Sequence, residues 1–234
     1  MTEISILIPL YNVKDFILRC LNSVATQTYQ GPMECIIVDD CGTDDSASMA
    51  KDFIHQYNGP IEFRIIRHDR NRGLAAARNT AVAAAHGEFL IHLDSDDWLE
   101  PSCVSTLVAK QMDTGADIVS GAALQHTNDG DLLLLEPEYA TPMEMVRNTI
   151  ELTLDHVIWR RLIRISLYAD NHVKAHEGVN IGEDHHTLPR LAFYAKSVAK
   201  TDEVVYHYNC LNPNSYMSAR TQRFNLKRYH NNLF

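Results

Sequence analysis

Two carboxylates separated by one serine, Asp94-Ser95-Asp96, follow directly on the apolar run from Phe89 to Leu93. In extended backbone, residues two apart project to the same side, so both acids can serve one ligand. Hard carboxylate oxygens suit Mg²⁺ or Mn²⁺, which would bridge the protein to a diphosphate. A bare acid pair is also what a solvated turn displays. Here the pair closes a run that reads as a buried strand and is followed by a third acid, Asp97, and that placement favours the metal. A second acidic pair, Glu183-Asp184, stands at the start of a helical stretch that continues through Leu188, where acids favour the positive end of a helix dipole.

The histidines do not add a metal motif. His176-Glu177 lacks the second histidine of an HExxH site, and His185-His186 are adjacent instead of one helical turn apart. They read as surface or acceptor-side residues. Five cysteines form no CxxC pair and are odd in number, which fits reduced, structural thiols of an intracellular protein. Two basic groups, Arg160-Arg161-Arg164 and Arg220-Arg223-Lys227-Arg228 with Phe224, Tyr229 and Phe234 interleaved, read as solvated faces that could lean on anionic lipid or an acidic glycan.

These residues need elements to hold them. Ile4–Pro9 is a short continuous apolar run expected as a strand buried on both faces, and Cys35–Val38, Ile61–Arg67 and Phe89–Leu93 are expected as the second, third and fourth strands. Between them lie helical patterns. Val13, Phe16, Ile17, Cys20, Leu21 and Val24 make one stripe, capped by Asn12; Met49, Ala50, Phe53, Ile54 and Tyr57 make another; Leu74–Ala85 is alanine-rich and can lie close to its neighbours. Pro101 suits the first turn of a helix carrying Val104, Leu107 and Val108. Alternation of strand and helix predicts an α/β fold: a doubly wound, mostly parallel sheet with helices on both faces and ligands beyond the carboxyl ends of the strands. Those ends carry Tyr11, Asp39-Asp40, the loop around Asn71, and Asp94 with Asp96.

After about Ala123 the alternation weakens. Asn128-Asp129-Gly130 reads as a hairpin turn, Pro142–Leu154 as a helix and Val204–Tyr208 as a strand, giving a smaller α+β region. The expected division is therefore residues 1–123 and 124–234 as two halves of one domain.

Five stretches in order, SILIPLYN (5–12), IIVDDCGTDDS (36–46), NRGLAAARN (71–79), GEFLIHLDSDD (87–97) and GED (182–184), resemble family 2 glycosyltransferases of the GT-A type. Where the family usually has DDGSTD, this chain has Asp39-Asp40-Cys41-Gly42-Thr43-Asp44, with Gly42 expected to supply the turn and Asp44 to cap the next helix. The resemblance implies a GT-A, Rossmann-like fold whose 1–123 half binds a nucleotide sugar, a UDP-sugar above all, and whose 124–234 half faces the acceptor. Backbone near Pro9 and the ring of Tyr11 would border the base, Asp39 would accept from base or ribose, and Asn71 and Arg78 would lie near base and phosphates. Asp94 would sit near the ribose with Ser95 beside it, Asp96 would ligate Mn²⁺ or Mg²⁺ directly with Asp94 in support, and His207 could reach the metal as in some GT-A enzymes. Asp184 would act as base on an acceptor hydroxyl, inverting the anomeric centre. The implied reaction is sugar transfer to a glycan or lipid-linked acceptor in polysaccharide biosynthesis.

Composition limits the rivals. At 234 residues with 45% hydrophobic and 22% charged, the chain has the make-up of an ordinary globular domain. A net charge of −9 argues against nucleic-acid binding. No stretch resembles a signal peptide or a membrane span, so a cytoplasmic protein is expected, with peripheral contact at the inner membrane face left open. A dinucleotide oxidoreductase would need glycines where Pro9-Leu10-Tyr11-Asn12 stand, and a nucleotidyltransferase would need a glycine-rich loop with lysine near the first strand. A non-catalytic nucleotide-sugar-binding protein would not need Asp96 and Asp184 intact.

Overall fold

The apolar runs form the centre of one sheet: β1 (Ile4–Leu10), β2 (Met33–Asp39), β3 (Glu62–Arg67) and β4 (Phe89–His92). The structure, a computed structural model, describes residues 3–151, 153–154, 157–179, 182–213 and 215. Every residue of β1, β2 and β4 is buried, as continuous hydrophobic runs require when both faces are covered. β1 pairs in parallel with β2 and β4, and β2 with β3. The sheet runs β3-β2-β1-β4-β8-β6-β9-β5, where β5 is Trp98–Leu99, β6 Ile118–Thr127, β8 Arg161–Arg164 and β9 Val198–Asn209. β7 (Gly130–Leu134) closes the expected hairpin on β6. The later strands mix antiparallel pairs with the parallel β6–β9 pair.

Side chains alternate between two apolar layers. Ile4, Ile6, Ile8 and Leu10 face α1 (Ile17–Ala25), α2 (Ser46–Gln56) and α4 (Cys103–Thr114). Leu7 faces the layer of α3 (Leu74–Ala84), α5 (Pro142–Ile150), α6 (Ser166–Ala169) and α7 (Glu183–Tyr194). Ala75, Ala76, Ala77 and Ala81 are all buried, which lets α3 approach the sheet closely. Among the described residues no helix is long and apolar enough to cross a membrane. All five cysteines are free thiols.

Several sequence expectations need correction. Asn12 does not cap α1, whose N-cap is Phe16; it takes a left-handed φ of 51° and its Oδ1 accepts from the backbone N–H of Thr43 and Asp44. Cys41, not Gly42, supplies the left-handed turn, with φ 58°. Asp44 accepts from the N–H and hydroxyl of Ser46, just past the N-cap Asp45. Helix α5 ends at Ile150, four residues early. Residue 123 falls inside β6, so the two halves share a strand as well as a sheet.

The first basic group is the largest revision. Arg160 and Arg161 are fully buried and both pair with Glu136, while Arg164 pairs with Asp117 and Glu88. Arg160 and Arg161 hold the interior together and offer nothing to lipid or glycan, while Arg164 is partly exposed. The second group, Arg220 to Arg228, lies outside the described residues.

Candidate active site at the carboxyl ends of the strands

The ends of β1, β2 and β4 place the expected residues along one edge. Pro9 is buried in β1 opposite Val38, and Tyr11 beyond it is 43% exposed, available to a ligand. Asp39, the last residue of β2, is buried; its Oδ1 accepts from Cys41 N–H at 3.1 Å, and its Oδ2 lies 3.6 Å from Arg67 Nε without a hydrogen bond. The loop that follows β3 is tied down by Asp40, which accepts from the N–H groups of Arg72 and Gly73 and hydrogen-bonds His68 Nδ1 at 2.6 Å. Gly73 stands at φ 88°, a conformation that favours glycine, and this lets the loop turn its N–H groups onto Asp40. Asn71 is thereby presented, exposed, at the rim. The role of Asp40 was visible only as one more acid at a strand end.

Arg78, on α3, is the hub. It is 4% exposed, and its Nη2 donates to Asp94 Oδ1 at 3.0 Å and lies 3.4 Å from Glu183 Oε1, while Nη1 lies 3.5 Å from Asp184 Oδ1. One guanidinium thus joins the acid after β4 to both acids opening α7. Asp184 is further fixed by Ile158, whose N–H donates to Oδ2 at 3.1 Å. Glu183, read from the sequence as a helix-dipole acid, belongs to the same cluster.

The Asp94–Asp97 turn is held from β9. Tyr206 Oη donates to Asp97 Oδ2 at 2.7 Å and accepts from Asp94 N–H, and Asn209 N–H donates to Asp97 Oδ1. Asp97 is therefore an anchor of the turn. Asp96 Oδ2 accepts from Asn212 Nδ2 at 2.8 Å, and Ser95 is buried between the two acids. None of these long-range partners carries a short sequence motif.

Electrostatics sets this cluster apart. Burial pushes the Asp94 carboxyl up against the pull of Arg78, and the charge of Asp184 adds to the rise. Burial also raises Asp96, and burial with the charges of Asp96 and Asp94 holds Asp97 well above the carboxylate range. Glu183 is pushed up to about 7, again chiefly by burial. Such a group of acids is short of positive charge. Among the described residues no three His, Cys, Asp or Glu side chains gather as a closed metal site. A cation shared with a diphosphate needs only one or two protein carboxylates, the rest of its shell coming from phosphate oxygens and water. The donor set at Asp94 and Asp96 fits that mode.

His207 pairs with Trp98, two residues past Asp96. Its Nε2 lies 2.8 Å from Glu100 Oε1, its Nδ1 3.0 Å from His126 Nε2, and its ring stacks on Trp98, so both nitrogens are engaged at the β5–β9 corner. His176, His185 and His186 are exposed, as expected.

Comparison with known proteins bears on the family and the fold. Residues 5–165 match the model of glycosyl transferase family 2. The glycosyltransferase GlyA of Streptococcus pneumoniae is 38% identical over 51% of this chain and 16% of its own length. TarS of Staphylococcus aureus, a poly(ribitol-phosphate) beta-N-acetylglucosaminyltransferase, is 24% identical over 94% of this chain and 37% of its own. Its 1–349 segment solved with UDP-GlcNAc superposes with a TM-score of 0.79 at 22% identity, covering 93% of this chain and 61% of that one. The mannosyltransferase PcManGT of Pyrobaculum calidifontis, solved with GDP-Man and Mn²⁺, gives 0.68 at 18% identity over 94% of this chain and 60% of that one. The present chain thus spans less than two thirds of the relatives it matches. With the family model covering more than half of its residues, the chain belongs to glycosyl transferase family 2, on a GT-A fold.

Proposed function

We propose that the chain carries the catalytic domain of an inverting glycosyltransferase, moving a sugar from a nucleoside-diphosphate sugar to a hydroxyl of a glycan or lipid-linked acceptor in polysaccharide biosynthesis. The observation that carries this reading is the single guanidinium of Arg78 holding Asp94 on one side and Glu183 with Asp184 on the other. Donor and acceptor chemistry then meet across one side chain.

In this reading residues 1–123 supply the donor side and residues from 124 on the acceptor side. Tyr11 and the backbone at Pro9 border the base, Asp39 accepts from base or ribose, and Asn71, Arg78, Asp94 and Ser95 line the path to the phosphates. Asp96, with Asp94 in support, would hold Mn²⁺ or Mg²⁺, which would supply Lewis-acid stabilisation to the departing diphosphate. Asp184 takes the proton of the attacking hydroxyl as the new bond forms at the anomeric carbon and the bond to the diphosphate breaks; one base and in-line attack invert that centre. A UDP-sugar is the favoured donor because TarS, similar over nearly the whole chain, was solved with UDP-GlcNAc.

The test is a thermal-shift screen of UDP, GDP and their sugars with and without Mn²⁺, followed by turnover of the stabilising donor. Metal-dependent stabilisation by one nucleotide, lost in Asp96→Ala, is expected. Asp184→Asn should still bind donor and metal but lose roughly 10²–10⁴ in rate. Undiminished turnover in Asp184→Asn would overturn the base assignment, and stabilisation by NAD without metal would overturn the reaction class.

A further inference from the structure

Behind the hub lies a small cavity whose wall includes Arg78, His92, Tyr168 and Asp184. Four polar atoms of these residues are buried without a hydrogen-bond partner among the described residues: Arg78 Nε and Nη1, His92 Nδ1 and Asp184 Oδ1. An unsatisfied buried polar atom costs about 1–3 kcal/mol, so this concentration calls for a common partner. The cavity has room for about one water molecule, and buried waters make about three hydrogen bonds.

The donors and acceptors match. Arg78 can only donate and the Asp184 carboxylate can only accept, while His92 Nδ1 takes either role according to tautomer. The His92 side chain is buried. Its Nε2 lies 3.0 Å from Tyr168 Oη. With the proton on Nε2 donated to Tyr168, Nδ1 is free to accept.

We propose that one ordered water sits in this cavity, accepting from Arg78 and donating to Asp184 Oδ1 and His92 Nδ1, and that His92 is thereby a positioning residue for Asp184. The backbone N–H of Ile158 already holds Oδ2. At 3.5 Å from Arg78 Nη1, Oδ1 is too far for a strong direct bond, and the water completes its fixation. The catalytic consequence rests on the reading of Asp184 as base; the water site does not.

Two measurements on the wild-type chain decide the site. A crystal structure that orders internal waters should show one within about 3.2 Å of His92 Nδ1, Asp184 Oδ1 and an Arg78 nitrogen. Nitrogen-15 NMR of labelled histidine, with His92 assigned by its loss in a variant, should read a bare Nδ1 and a protonated Nε2. A dry cavity, or a proton on Nδ1, overturns the proposal. For the consequence, His92→Asn puts an amide oxygen near the place of Nδ1, whereas His92→Gln reaches only toward Nε2. With UDP-GlcNAc or UDP-glucose as donor, kcat should fall roughly 10- to 100-fold in His92→Gln at unchanged donor KM, as misplacement of a catalytic group predicts. His92→Asn should recover most of that loss, and equal losses in the two variants overturn the positioning role. Normal turnover in Asp184→Asn would sink the base reading alone, leaving the water and the tautomer to be judged by map and spectrum. If both His92 variants fail to fold, the wild-type crystal structure still decides the water site.

Discussion

Arg78 and the pair Arg160–Arg161 are both buried guanidinium groups among carboxylates, but the balance of charge around them runs in opposite directions. At Arg78 three acids, Asp94, Glu183 and Asp184, compete for one cation. At the other cluster two cations share Glu136, with Ser120 and the carbonyls of Leu134 and Val157 taking further donors. The two glutamates record the difference. Burial raises both, yet at Glu136 the charges of Arg161 and Arg160 outweigh it and pull the carboxyl below its ordinary range. Glu183, sharing its arginine, ends at about 7. A buried cluster rich in cation is built for strength, and one rich in acid leaves charge to be met by something else, which is what a binding site requires.

The largest expected effect breaks the cation-rich side. Glu136→Ala leaves two buried guanidinium groups without their shared carboxylate, a loss of about 3–5 kcal/mol. Thermal unfolding should fall by about 10 °C. Guanidinium cannot shed its proton, so the loss should be the same at pH 5 and pH 8. A loss that fades across this range would mean that the cluster can neutralise itself, and the contrast would fail.

The acid-rich side should behave otherwise. Arg78→Met removes the cation that holds down the carboxyls of Asp94 and Glu183. Their folded pKa values, already raised, then rise further above the unfolded ones, so the native state binds more protons and stability falls as pH rises through the window. The variant should lose on the order of 2–4 kcal/mol at pH 8 and distinctly less at pH 5. Melting curves at the two pH values check this directly, and a pH-independent deficit would place Arg78 with the structural arginines.

What the sequence could and could not tell follows the same division. Asp94 and Asp96 stood out because an acid pair closes an apolar run that reads as a strand, and Arg78 and Asp184 only because they lie in stretches that resemble the family. Arg160 and Arg161 were not, because Glu136 stands 24 and 25 residues away in the loop after β7, and nothing local distinguishes a buried basic pair from a solvated one. Tyr206, Asn209 and Asn212 reach the acidic turn from more than 100 residues away. The sheet was readable through β1 to β4, where strand-like segments alternate with helices, and not at the two-residue β5, too short to show a period. Cys41 shows a subtler limit. Glycine next door suggested where the turn would be, but the loop's contact with Asn12 put the left-handed residue one position earlier. His92 was a signal in plain view, a polar residue within a buried apolar run, whose meaning depended on what Tyr168 and Asp184 bring to it.

The smallest effect isolates one acid of the hub. Glu183 has a folded pKa of about 7 against an ordinary value of 4.5. Between those values the native state holds a proton that the unfolded chain has released, so stability is lost as pH rises from about 4.5 to 7 and stays lost above it. Glu183→Gln removes that titration while leaving Arg78 its contacts to Asp94 and Asp184. Relative to wild type, the variant should therefore gain stability on going from pH 5 to pH 8, by a few kcal/mol at most and a shift in Tm on the order of 5 °C. Because Arg78 holds the Glu183 carboxyl down against burial, the gain from Glu183→Gln should be larger when measured in the Arg78→Met background. A gain of the same size in both backgrounds would show that Glu183 does not share the Arg78 cation.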